Sequence, residues 1–217
     1  MRRSVSVAVA VALGLGTGVV SVASQPRPDD APPATFAALM SRLAAVPGLT
    51  ASFREQKRIA LLAAPLVSEG TIAFSRPGRL LRRTVRPEAS TVIVDGQRLR
   101  VADASGRHEI DLRTGTALGT LVASFVRLLA GDRAALERSF FVQYTTSGAG
   151  WSVVMRPRAA AVAAFVRQIR ADGRGAEIAR LLVVDGHGDE SDTAFSQVNA
   201  TRRFTSAELG RMFGPAR

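Results

Sequence analysis

The 217-residue sequence has no cysteine, one tryptophan, one tyrosine, two histidines and a single lysine, Lys57. Without cysteine there is no disulfide framework, no thiolate metal site, no cysteine nucleophile and no amino-terminal cysteine to carry a lipid anchor. The two histidines, His108 and His187, stand in no metal-binding helix spacing, and neither a serine elbow nor a glycine-rich phosphate loop with lysine occurs. The chain is therefore expected to be no enzyme and to carry neither metal nor cofactor. One Trp and one Tyr give bases few platforms for stacking, which argues against nucleic acid. Long apolar runs are scarce too: after Val5–Val22, none approaches the ~20 residues of a membrane helix.

Arginine is what the chain has in excess. Lys and Arg total 29 against 18 Asp and Glu, a formal charge of +11, and Lys57 leaves arginine as the only other strong cation. An apolar fraction of 47% excludes a disordered chain. Arg2 and Arg3 precede the apolar stretch, and Val22-Ala23-Ser24 is a small-residue site, the pattern of a secretory signal peptide. Gly14, Gly16 and Gly18 weaken the other reading, an uncleaved membrane anchor. The expected organisation is a signal peptide over 1–24, an extended proline-rich linker over 25–34 and one domain over 35–217, placed in the periplasm. Export removes nucleic acid as the default partner of a basic protein.

Within the domain, Thr35 can cap a helix carrying Phe36, Leu39, Met40, Leu43 and Val46, stopped by Pro47-Gly48. From Leu49 the period shifts to two, the signature of antiparallel strands. Asp95-Gly96 between alternating runs predicts a two-residue type I′ hairpin, with Val94 facing Gln97 and Val92 facing Leu99. Val92, Val94, Leu99 and Val101 then share one apolar face. Ile72 and Phe74 form another such face, and the same period carries Arg76 onto it. The competing reading sends Arg76 out into water at the strand end. A helix is predicted over 116–130, with Leu118, Leu121, Val122, Phe125, Leu128 and Leu129 on or near one face. Asp132 caps a short turn, and hairpins are predicted from Phe140–Thr145 with Trp151–Met155 and from Ala160–Arg170 with Glu177–Asp185. Thr205-x-x-Glu208 is a capping box for a last helix to Phe213.

The sum is an α+β, mainly β domain: about ten strands in one open, strongly curved antiparallel half-barrel, with three helices covering its concave apolar face. Such a concavity is a ligand site by default. The arginines Arg76, Arg79, Arg82, Arg83 and Arg86, with Arg98 and Arg100, suggest a basic convex face suited to transient contact with anionic membrane headgroups. A solvated arginine surface is the plainer alternative. The acidic run Asp185–Asp192 reads as a hairpin turn, with cation binding as the other option.

Phe53-x-Glu55, Ser68-x-Gly70-x-Ile72-x-Phe74-x-Arg76-Pro77-x-x-Leu80, Pro87 and Val94-Asp95-Gly96, read in order, resemble the LolA-type periplasmic carriers of outer-membrane lipoproteins. The run Pro65-Leu66-Val67-Ser68-Glu69-Gly70 is similar to a LolA-like branch often associated with polyene lipids, as are Gly131-Asp132, Trp151 and Phe195-x-x-Val198. The resemblance implies a half-barrel with a helical lid that shelters the acyl chains of a lipidated cargo. That cargo, lipoprotein or lipid, would pass from an inner-membrane donor complex to an outer-membrane acceptor, carried by a monomer. It also implies that the arginine before proline, here Arg76, controls the lid. The expected cavity lining is Phe53, Ile72, Phe74, Arg76, Val92, Val94, Leu99 and Val101, with Arg76 bonded to backbone carbonyls of the cover. Where classical carriers have Phe-x-Gln this chain has Phe53-x-Glu55, and Glu55 is the expected partner of Arg76. The related outer-membrane receptor is anchored through a lipidated cysteine, which this chain lacks. The alternatives are an envelope lipid-sensing domain that signals to a protein partner, and a hydrolase using His187.

Overall fold

Thr35 starts the described fold: its hydroxyl accepts from the Ala38 amide and caps α1 (Phe36–Ala45), which buries Leu39, Met40 and Leu43. The computed structural model describes residues 31–112 and 117–214, so the predicted signal peptide, most of the linker and the 113–116 segment lie outside it. Of the linker, 31–34 is described and fixed rather than free. Arg42 donates to the Ala31 carbonyl and the Tyr144 hydroxyl to that of Pro33.

Eleven strands follow, β1 (Gly48–Arg58), β2 (Leu66–Ser75), β3 (Arg79–Arg86), β4 (Ser90–Asp95), β5 (Arg98–Asp103), β6 (Gly106–Asp111), β7 (Phe140–Ser147), β8 (Gly150–Pro157), β9 (Val166–Arg174), β10 (Glu177–Asp185) and β11 (Glu190–Asn199). They make one antiparallel sheet in the order β6-β5-β4-β3-β2-β1-β11-β10-β9-β8-β7. The chain enters at the middle, meanders to one edge, crosses over and returns to the middle beside β1. The crossing is made by α2 (Ala117–Ala130) and α3 (Arg133–Ser139), which join edge strands β6 and β7. The two halves of an open sheet are thus tied by helices lying over one face.

Alternation assigns the faces. Leu49 and Phe53 of β1, Ile72 and Phe74 of β2, Leu80, Val94 and Leu99 join Trp151, Val153, Met155, Ile169 and Ala171 in the main core with α1, α2 and α3. Two glycine positions show why the sheet can carry such aromatics. A Cβ on Gly70 would sit 2.9 Å from the Phe53 ring, and one on Gly173 2.4 Å from the Trp151 ring. Each glycine leaves room for a ring to lie flat over its neighbouring strand.

Three expectations need correction. The hairpin pairs Asp95 with Arg98, Val94 with Leu99 and Val92 with Val101, so its turn is Gly96-Gln97 rather than Asp95-Gly96. Only Gly96 has positive φ there (62°), as a type II′ turn needs. The register moved by two, an even shift, so all four side chains kept the expected face. Residues Ala160–Ala163 form a short helix, α4, before β9 begins at Val166. The last helix, α5 (Ser206–Phe213), packs on the opposite, convex face: Phe213 clusters with Ala73 and Leu81 against Ile93, Leu209 and Met212. The concave cover is therefore α1, α2 and α3. Among the described residues, no helix is long and apolar enough to cross a membrane.

Candidate lipid-binding face and its latch

The concave face gathers the apolar side chains singled out above. Phe53, Ile72, Phe74, Val94 and Leu99 are buried in the main core, while Val92 and Val101 pack half-buried against it. Over them lies α2, burying Leu128 and Leu129, with Phe125 stacked on Phe195 of β11 at 6.2 Å and 8° between ring planes. The side chain of Leu118 lies outside the described set. Between α2 and the sheet remains a cavity of about 20 Å³, lined by Leu49, Ala51, Ile72, Phe125, Leu129, Ile178, Phe195 and Val198. That is room for about one water. Nothing larger fits in that cavity unless α2 moves.

Arg76 stands where the cover is joined. Its Nε donates to the Val46 carbonyl at 2.7 Å, and its Nη2 donates to Leu43 at 2.9 Å and to Ala130 at 3.2 Å. These are carbonyls at the C-terminal ends of α1 and α2, where the aligned peptide dipoles place a partial negative charge; that of Leu43 also accepts from the Val46 amide at 3.1 Å. A planar cation with five donors can serve several such acceptors at once. Next to it, Gly131 (φ 68°) ends α2: its amide bonds to Leu128 and that of Asp132 to Arg127, a Schellman closure. A Cβ on Gly131 would meet the Met40 carbonyl at 2.3 Å and the Ala44 amide at 2.6 Å, so the two helices touch backbone to backbone here.

Glu55 does not reach Arg76. Glu55 pairs with Ser68 and Gly48 with Ser75 across β1 and β2, so Arg76, one residue beyond Ser75, stands eight positions, roughly 26 Å, from Glu55 along one face. Alternation gives the face of a residue but not its height on the strand. Glu55 instead receives Arg82 at 3.3 Å and the Thr193 hydroxyl at 3.1 Å, and the Arg82 guanidinium lies 4.2 Å from the centre of the Phe53 ring. Arg82 shares the inner face with Leu80 by the period of two, so the sequence carried this signal, hidden within a run of arginines.

Most of the other arginines of the predicted basic face have partners as well. Arg79 bonds Asp95 at 2.9 Å, Arg98 faces Glu109, and both Arg54 and Arg86 hold Glu69. The hydrogen bond from Arg86 keeps the Glu69 carboxyl below its ordinary range. Arg100 turns to the convex side and donates to the carbonyls of Phe213 at 2.5 Å and Gly214 at 2.9 Å, closing the end of α5. In the acidic turn, Asp185 accepts from the amides of His187 and Asp189, Asp189 accepts from Ala60, and Asp192 pairs with Arg180. Among the described residues, no group of three metal-ligating side chains comes together.

Comparisons with known proteins cover most of the chain. Two outer-membrane lipoprotein carrier proteins are each 28% identical to it: that of Dechloromonas aromatica (strain RCB) over 65% of this chain and 69% of its own length, and that of Methylibium petroleiphilum over 66% and 68%. Among solved structures, a LolA superfamily protein from Nitrosomonas europaea aligns with 81% of this chain and 96% of its own, at 10% identity and a TM-score of 0.48. The sequence model of the family described as "Outer membrane lipoprotein carrier protein LolA-like" matches residues 30–209, a span that takes in all eleven strands and the helices over their concave face. The chain belongs to the LolA-like family of outer membrane lipoprotein carrier proteins.

Proposed function

We propose that the protein is a periplasmic carrier that takes the acyl chains of a lipoprotein, or of another lipidated molecule, onto its concave face and releases them towards the outer membrane. The observation that carries this reading is the Arg76 latch: one side chain bonds the ends of α1 and α2, over an apolar face whose cavity beneath α2 holds only about 20 Å³. The cover is held by these three hydrogen bonds and by apolar packing such as that of Leu128 and Leu129, with no disulfide, so cargo that replaces the apolar contacts can displace it. Each acyl methylene brought under it contributes about 0.8 kcal/mol, enough to offset the latch after a few carbons. The role is binding and transfer, with no chemical step.

Lipid co-purified from native membranes and identified by mass spectrometry tests the reading directly. An acyl probe should bind the wild-type protein and bind at least tenfold more weakly to Val101→Glu, which changes a half-buried lining residue and spares the fully buried Phe74. Arg76→Leu should still bind the probe but fail in delivery. No co-purified lipid, together with equal probe binding by Val101→Glu, overturns the reading.

A further inference from the structure

Strands β10 and β11 are zipped at only one end. They pair from Val184–Glu190 to Arg180–Ala194 and stop there, whereas β9 stays with β10 to Glu177 and β1 stays with β11 to Asn199. Residues 177–179 therefore part from 195–198. Both strands are irregular at that place. β10 shifts register against β9 between Ile178 and Arg180, and β11 shifts against β1 opposite Thr50–Ser52. Gln197 there has a φ of 52°, the one positive value among described non-glycine residues, and its side chain accepts from the Ser52 hydroxyl. Bulges bend a strand and re-aim it, and here two of them turn neighbouring strands apart.

The parted strands frame an open groove of about 580 Å³. Its walls include Ile178, Phe195 and Val198, which also line the small cavity beneath α2. They also include Ser152, Asp172 and Ser196, whose immediate neighbours Val153, Ala171 and Phe195 face the concave core. Alternation places those three polar residues on the outer face. The groove thus carries residues of both faces, at the end of the sheet where the β7–β8 and β9–β10 hairpins turn and β10 and β11 are unpaired.

We propose that this parting of β10 and β11 is a lateral port through which an acyl chain slides under α2 from the side of the sheet. The inference rests on the carrier reading and adds a route to it. The volume lies in the ~300–1,000 Å³ range of small-molecule sites; the inner-face lining, Ile178, Phe195 and Val198, is apolar, while the outer-face lining is polar and charged, with Arg170, Asp172 and Ser196. A chain arriving at Phe195 meets the ring on which Phe125 of α2 is stacked, so its arrival presses on the cover. Loading and lid movement are coupled through that pair.

The test uses the natural absence of cysteine. Ser196→Cys and Ala179→Cys, both exposed and on opposite walls, each introduce one thiol. Each variant is plugged with a bulky methanethiosulfonate reagent and mixed with dansyl-labelled undecanoic acid in stopped flow. Plugging should slow loading at least tenfold, and removal of the plug by reductant should restore the rate. The same treatment of Ala89→Cys, at an exposed turn between β3 and β4, should change nothing. Loading at the unplugged rate in both plugged variants would overturn the port and assign loading to lifting of α2. A protein that binds no probe before plugging would overturn the carrier reading, and the port with it.

Discussion

Arg76 and Arg82 lie on one face of neighbouring strands and do different work. Arg76 donates to three backbone carbonyls at helix ends, and hydrogen bonds from a charged donor are worth about 1.5–3 kcal/mol each. Arg76→Leu is expected to cost about 2 kcal/mol in urea unfolding and to speed amide exchange in the last turn of α2. Arg76→Lys should recover only part of this, because a compact ammonium does not match a planar fork with separated acceptors. Arg82 lies over Phe53 and meets Glu55, so Glu55→Gln should cost about 1 kcal/mol and leave α2 exchange unchanged. An equal rise in exchange for Glu55→Gln and Arg76→Leu would join the two sites after all. The face of both arginines was legible from alternation with Ile72 and Leu80. Their partners were not, because height along a strand depends on a pairing made across the chain.

The helices show the same division at the scale of elements. Thr35 and Thr205 announced two helix N-termini and Asp132 a short turn that folds as α3, and each side chain accepts from an amide three residues on. Glu208 completes the box by accepting from the Thr205 amide at 2.8 Å, the main cause of its lowered pKa, with Arg202 adding to it. A lowered carboxylate pKa contributes stability that is present above the ordinary glutamate range, about pH 4.3, and is lost as pH falls through the lowered value. α5 should therefore loosen from the convex face in acid, and the Met212 methyl resonance in an NMR titration reports it. Thr205→Ala should cost about 1 kcal/mol and bring the loosening to higher pH. Gly131→Ala is expected to be worse, more than about 1 kcal/mol, because it meets both a positive φ and the backbone of α1. What remained hidden was the side on which α5 docks. An amphipathic helix declares that it has a buried face, but a sheet offers two faces to bury it.

In the whole molecule, the connection from β6 to β7 makes the cover part of the chain's path. Leaving the sheet at one edge and re-entering at the other, the chain lays α2 and α3 across the concave face, and β1 against β11 closes the two halves. A cover tied at both ends pivots rather than departs. If acyl cargo binds beneath it, a ligand at about 100 times its Kd adds about 2.7 kcal/mol to the folded state. For a domain of this size that raises Tm by roughly 5–10 °C in calorimetry. Val101→Glu should lose that shift while keeping its own transition, and an undiminished shift would place the ligand elsewhere.

The sequence by itself determined the alternating faces, the capped helix starts at Thr35 and Thr205 and the mainly β class, because periods of two and 3.6 are local properties of the backbone, and for Arg76 it offered the apolar face as one of two readings. Its missing cysteine also settled that nothing covalent staples the lid. Only the tertiary structure decided that Glu55 meets Arg82, that α5 lies outside the concavity and that β10 parts from β11 beside Gln197. Those facts depend on register, bulges and docking between segments far apart in sequence, and a local pattern holds no record of them.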